Sequence, residues 1–85
     1  MNIVGILVST FPEFSLQVAA QIPRLGAQVH HISAQGQLVV TIEHPDDKVV
    51  SDCITQIQTL KGVLNAAMVY HQVDDESFTL QETQA

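Results

Sequence analysis

The sequence predicts an α+β fold in which a four-stranded antiparallel sheet carries two helices on one of its faces. Residues 3–8 form a short run rich in β-branched residues, which is typical of a buried strand. Two strand-like segments, residues 28–33 and 37–43, are joined by a tight turn, and an apolar strand over residues 63–72 follows the second of two helical patterns. The predicted order is therefore β-α-β-β-α-β, the split βαβ arrangement.

The first helix follows from apolar spacing and from the positions of proline and glycine. Pro12 suits the first turn of a helix, and one apolar face is formed by Phe14, Val18, Ala19 and Ile22. Because Pro23 disfavours helical geometry in the residue before it and Gly26 is a natural exit, we expect the helix to end between Ile22 and Leu25.

The central hairpin turns at Gln35 and Gly36, where the glycine supplies the positive φ of a tight turn. After it, Asp46 or Asp47 caps a second helix, which ends at Gly62 and has Lys61 in its last turn, where a cation complements the helix dipole. We expect this helix to present inward Val49, Val50, Cys53, Ile54, Ile57 and Leu60.

Composition limits the chain to one small domain. We expect this domain over residues 1–73, followed by an acidic, flexible tail over residues 74–85. Three basic against nine acidic residues give a net charge of −6, which opposes nucleic-acid binding and favours a cationic partner. The apolar run at residues 3–8 is too short to span a bilayer and lacks a basic flank, so we expect a cytoplasmic chain without membrane insertion.

No residue pattern indicates catalysis, a cofactor or a metal. No motif brings a base to any of the serines, so a serine nucleophile is not predicted. The four glycines stand alone in the sequence, so a glycine-rich phosphate-binding loop is not predicted either. His30 and His31 are adjacent on a strand, so we expect their side chains on opposite faces, with one of them in or beside the core. Cys53 lies on the apolar stripe of the second helix, where we expect a buried, inert thiol.

Alternation of side chains divides the predicted sheet into two faces. The helix-covered face should receive Val4, Ile6, Val8, Leu64, Ala66, Met68 and Tyr70. The open face should receive Ile3, Gly5, Leu7, Val39, Thr41, Asn65, Ala67, Val69 and His71. This open face is apolar with small residues near its centre, so a peptide could approach it closely or two copies of the chain could pair through it, and the residues favour neither use. A shift of one residue in register would exchange the two sets.

Several segments resemble the NapD family, the assembly chaperones of the periplasmic nitrate reductase. The resemblance lies in the hairpin over residues 33–43, with its Gly-Gln-Leu, and in the Val-Tyr-His-Gln of residues 69–72 before an acidic run. It covers nearly the whole chain. It implies a ferredoxin-like βαββαβ sandwich that binds the twin-arginine signal peptide of the catalytic subunit and holds back export until the molybdenum cofactor is inserted.

Such a signal peptide has paired arginines followed by a moderately apolar segment, which complements the open face and the carboxylates beside it. We expect a helical peptide to lie on the sheet of a monomer or weak homodimer. The expected contacts are Ile3, Gly5, Leu7, Val39, Thr41, Asn65, Ala67, Val69 and His71, with Asp74, Asp75, Glu76 and Glu43 receiving basic side chains. An acidic run of this kind is more often simply a solvated tail.

Two other classes share this topology. A small-molecule-sensing module of the ACT type acts as a dimer and usually accompanies an enzyme or a DNA-binding domain, for which 85 residues leave no room. A metallochaperone needs a Cys-rich loop after the first strand, whereas residues 9–12 contain no thiol.

Overall fold

The computed structural model describes residues 2–73, and within them it has the predicted order of elements. The acidic tail expected from residue 74 onward lies outside the described residues. The strands and helices are β1 (Asn2–Thr10), α1 (Ser15–Gln21), β2 (Ala27–Ile32), β3 (Gln37–His44), α2 (Asp47–Gln58) and β4 (Val63–Val73). Single 3₁₀ turns at Pro12–Phe14 and Ile22–Leu25 flank α1. All strand pairs are antiparallel, in the order β2-β3-β1-β4, so the α+β, ferredoxin-like prediction is confirmed.

The core lies between one face of the sheet and the two helices. Every second residue of β1 and β3 is buried there, and these side chains pack against α1, the 3₁₀ turn after it, and α2. The buried apolar residues are Val4, Ile6, Val8, Val18, Ile22, Ala27, Leu38, Val40, Ile42, Val50, Cys53 and Ile57. Burial raises the pKa of the Cys53 thiol, whose Sγ donates to the Leu25 carbonyl oxygen at 3.2 Å, as a buried structural cysteine requires.

Helix α2 begins as expected but ends earlier. The Asp46 carboxylate caps it by accepting from the Lys48 backbone N–H at 2.8 Å. The helix ends at Gln58 because the backbone N–H and the hydroxyl of Thr59 both donate to the Gln56 carbonyl oxygen, which tightens the last turn.

Two expectations for this helix are therefore wrong. Lys61 is not in the last helical turn, and its Nζ lies 5.7 Å from the centre of the Phe14 ring. Val49 is 41% exposed, because the buried stripe runs through Val50, Cys53 and Ile57 and turns Val49 to its flank.

Candidate functional site

The open face of the sheet consists of cross-strand rows of side chains, because residues directly opposite one another on paired strands point to the same side. The apolar row contains Val39, Leu7 and Ala67, with His31 at its β2 end. The glycine row contains Gln28, Thr41, Gly5 and Tyr70. The acidic row contains Glu43, Ile3 and Gln72. Asn65 lies opposite Ser9, on the same face.

The expected open-face positions of β1 and β3, and those of Asn65 and Ala67 in β4, are therefore correct, while their role in binding stays a prediction. Asp74, Asp75 and Glu76 lie outside the described residues.

The C-terminal half of β4 faces the opposite way from the expected one. Gly5 pairs with Tyr70 whereas Ile6 pairs with Met68, which leaves Val69 as an extra residue without a cross-strand partner. Such a β-bulge interrupts the alternation of side chains along a strand. Tyr70 therefore lies on the open face, and the expectation that it faces the helices is wrong.

The same bulge corrects the position of His71. This residue lies opposite Val4, on the helix-covered side, and its Nε2 is 3.3 Å from the Asn2 Oδ1. His71 therefore does not belong to the open face, where it was expected. The pairing assigns Val69 to neither face, and its side chain is 64% exposed.

Tyr70 changes the centre of the open face. A Cβ built on Gly5 would lie 3.1 Å from the Tyr70 Cβ and 3.8 Å from two of its ring atoms, so the ring takes up part of the space that the glycine leaves free. The Tyr70 hydroxyl donates to the Gln72 Oε1. A ligand consequently meets a half-exposed aromatic ring here rather than bare backbone.

A bulge in β2 places both His30 and His31 on the open side. Val29 pairs with Val40 and His31 with Val39, so His30 is the extra residue of β2. The His30 Nε2 lies 2.7 Å from the Thr41 Oγ1, which belongs to the glycine row, and both histidines are exposed. The expectation that they face opposite ways, with one beside the core, is wrong. Within residues 2–73, no cluster of three or more His, Cys, Asp or Glu residues could hold a metal ion.

Charge is distributed unevenly between the two faces. The four strands contain no Lys or Arg, and their single carboxylate is Glu43. The three basic residues of the chain lie in or next to the helical segments. Arg24 is in a 3₁₀ turn, Lys48 is in α2 with its Nζ 3.5 Å from the Asp52 Oδ2, and Lys61 follows α2. The open face thus joins apolar side chains to a polar end where the Glu43 carboxylate has no ion-pair partner among the described residues, a combination that suits an apolar ligand with a cationic end.

Exposed apolar side chains continue to the edge of the sheet. β4 is an edge strand, and Leu64, Met68 and Val69 are each more than half exposed. Met68 also lines an apolar groove between β4 and α2, on the helix-covered side, together with Val50 and Ile54. Sequence periodicity could not find Tyr70, His30 or His31 as open-face residues, because the bulges at Val69 and His30 have no residue-type signal.

Comparison with known proteins identifies the family. A family profile described as NapD protein matches residues 1–75. The solution structure of the Escherichia coli Tat proofreading chaperone NapD superposes with a TM-score of 0.75 and 26% sequence identity, over 87% of this chain and 80% of that one. No curated protein sequence matches the chain significantly. Within residues 2–73, no helix is long and apolar enough to cross a membrane. The family match and the structural likeness support a chaperone role, and the chain belongs to the NapD family.

Proposed function

We propose that this chain is a cytoplasmic chaperone that binds the twin-arginine signal peptide of the periplasmic nitrate reductase catalytic subunit and holds back its export until the molybdenum cofactor is inserted. Membership in the NapD family and the likeness to a Tat proofreading chaperone support the proposal. The observation that carries it is a sheet face that the described residues leave uncovered, with the Glu43 carboxylate at one end, the apolar row nearer the other end, and no Lys or Arg in its strands.

The chemistry of the peptide complements this face. The apolar row offers the exposed Val39 and Ala67 and the partly buried Leu7 to the apolar segment of the signal peptide. Burial of apolar surface contributes about 25 cal/mol per Å², so this contact supplies affinity with little sequence selectivity. Selectivity comes from the paired arginines, because a guanidinium forms directed, charge-assisted hydrogen bonds with a carboxylate.

The peptide contacts in this proposal follow the open face as it is built. They are Ile3, Leu7, Val39, Thr41, Glu43, Asn65 and Ala67, joined by Tyr70 in place of His71, while the Tyr70 ring stands over the buried Gly5. A helical peptide lies over the apolar row and packs against the side of the Tyr70 ring. The binding species is the monomer, since two copies paired face to face would cover the same row.

The chain has a built-in reporter for the test, because Tyr70 is its only tyrosine and it contains no tryptophan. A synthetic twin-arginine signal peptide without Tyr or Trp should change the Tyr70 emission in a saturable way, and titration calorimetry should give the same affinity. A peptide with both arginines replaced by glutamine should bind more weakly.

Two variants with the same charge change provide the control. Leu7→Glu places a carboxylate against the apolar segment and should weaken binding at least tenfold, about 1.4 kcal/mol, because a charge buried without a partner is costly. Val49→Glu makes the same change on the exposed flank of α2 and should leave affinity unchanged. No saturable binding, or equal losses in the two variants, would refute the proposal.

A further inference from the structure

A shallow polar pocket lies at the β2–β3 end of the open face. It is lined by Gly26, Gln28, Thr41 and Glu43. The register explains the grouping, since Gln28 lies opposite Thr41 and Glu43 follows two residues later on the same side of β3. The pocket encloses about 240 Å³, which is roughly eight times the volume of about 30 Å³ that a water molecule occupies in the liquid. It can therefore receive a planar polar group together with part of its stem.

The lining selects a cation with several donors. Glu43 provides a carboxylate, and among the described residues it has no ion-pair partner, since the one ion pair joins Lys48 to Asp52. The Gln28 side-chain oxygen and the Thr41 hydroxyl add hydrogen-bond acceptors, and the Thr41 Oγ1 is held in place by His30 at 2.7 Å. A guanidinium presents five N–H donors in a rigid plane and can bond several such acceptors at once, whereas an ammonium acts as a compact point charge.

The pocket also makes the two ends of the open face chemically different. Glu43 and Val39 are four residues apart on β3, about 13 Å at the rise of a strand. The acidic row therefore lies at one end and the apolar row nearer the other. A helical peptide covers about 13 Å with roughly nine residues, so an arginine in the pocket sets which peptide residues reach Leu7 and Ala67.

We infer that the pocket of Gly26, Gln28, Thr41 and Glu43 binds one arginine of the peptide and thereby fixes its direction on the sheet. The basic N-terminal region lies over the acidic row, and the apolar segment extends toward Leu7 and Ala67. This inference rests on the proposed function, because it takes a twin-arginine peptide as the ligand of the open face.

The test compares peptides carrying Arg-Arg, Lys-Lys or Gln-Gln, each titrated calorimetrically into the whole chain. Wild type should prefer the Arg-Arg peptide. Glu43→Gln should weaken binding of that peptide about tenfold and bring its affinity close to that of the Gln-Gln peptide. Glu13→Gln makes the same charge change on an exposed residue of the turn before α1 and should leave the preference intact. An unchanged circular dichroism spectrum verifies the fold of each variant.

The direction of the bound peptide on the sheet is measured with peptides that carry a nitroxide label at one end or the other. An N-terminal label should broaden the amide resonances of Ile3 and Glu43, and a C-terminal label those of Gln37 and Asn65. The reverse pattern, or a full Arg-Arg preference in Glu43→Gln, would overturn the inference while leaving the proposed function standing. The failure of every peptide to bind wild type would remove the proposed function and the inference together.

Discussion

Replacing Gly62 by alanine should destabilise the domain clearly more than the same replacement at Gly26. Both glycines have a φ of 96°, so both variants incur the same left-handed strain. They differ in their surroundings: a Cβ on Gly62 would lie 2.4 Å from the Phe14 Cβ and 2.6 Å from its Cγ, whereas a Cβ on Gly26 meets nothing within 4 Å. Gly26→Ala is therefore a matched control that isolates the steric effect.

The expected free energies follow from these two differences. Left-handed geometry costs an alanine about 1–2 kcal/mol, and the stiffer unfolded chain offsets about 0.4–1 kcal/mol. Gly26→Ala should thus lower the free energy of unfolding by about 0–1.5 kcal/mol. Gly62→Ala adds the overlap with Phe14, and overpacking of this kind typically costs about 1–3 kcal/mol. The overlap alone separates the two variants.

Urea denaturation and thermal unfolding measure the difference directly. In a domain of this size about 1 kcal/mol corresponds to roughly 4–8 °C, so the melting temperature of Gly62→Ala should lie at least about 4 °C below that of Gly26→Ala. Equal losses in the two variants would contradict the packing of Phe14 on the turn that leads into β4.

Three further predictions concern the strands and the buried thiol. Ile6→Ala, at a fully buried position, should cost about 2–5 kcal/mol of stability, whereas Leu7→Ala should cost about 1 kcal/mol and mainly reduce peptide affinity; the reverse order would invert the two faces. Deleting Val69 removes the bulge but keeps Met68 and Tyr70 in register, so the nuclear Overhauser contact between the Tyr70 ring and Gly5 should persist, and its loss would argue against the bulge. Because burial raises the pKa of the Cys53 thiol, the folded state holds the thiol proton more strongly than the unfolded state does. The stability gained from this difference is complete below about pH 9 and falls as the pH rises above that value. In urea denaturation, the free energy of unfolding of Cys53→Ala should therefore decline less above about pH 9 than that of wild type.

The order of elements and the faces of β1 and β3 were predictable because both strands alternate between the core and the open side without interruption. The buried positions of β1 and the open-face positions of β3 coincide with the predicted ones, and the helices supply matching apolar stripes. Regular alternation next to a single apolar face leaves one register that buries the right residues.

The C-terminal half of β4 and the histidines of β2 were not predictable in this way. Residues 66–70 are apolar at odd-numbered and even-numbered positions alike. Because β4 is an edge strand whose outer part the helices leave exposed, neither register is penalised. A single unpaired residue, Val69 or His30, then decides which side chains face outward. Phe14 and Gly62 are likewise brought together by tertiary packing, without a local sequence signal.

Methyl resonances in the free and peptide-bound chain test most directly whether the open face is the peptide-binding surface. Titration with a twin-arginine signal peptide should shift the methyl signals of Leu7, Val39 and Ala67. The methyl signals of Ile54 and Met68, which line the groove between α2 and β4 on the opposite side, should remain in place. Shifts confined to Ile54 and Met68, with the apolar row unchanged, would contradict the account.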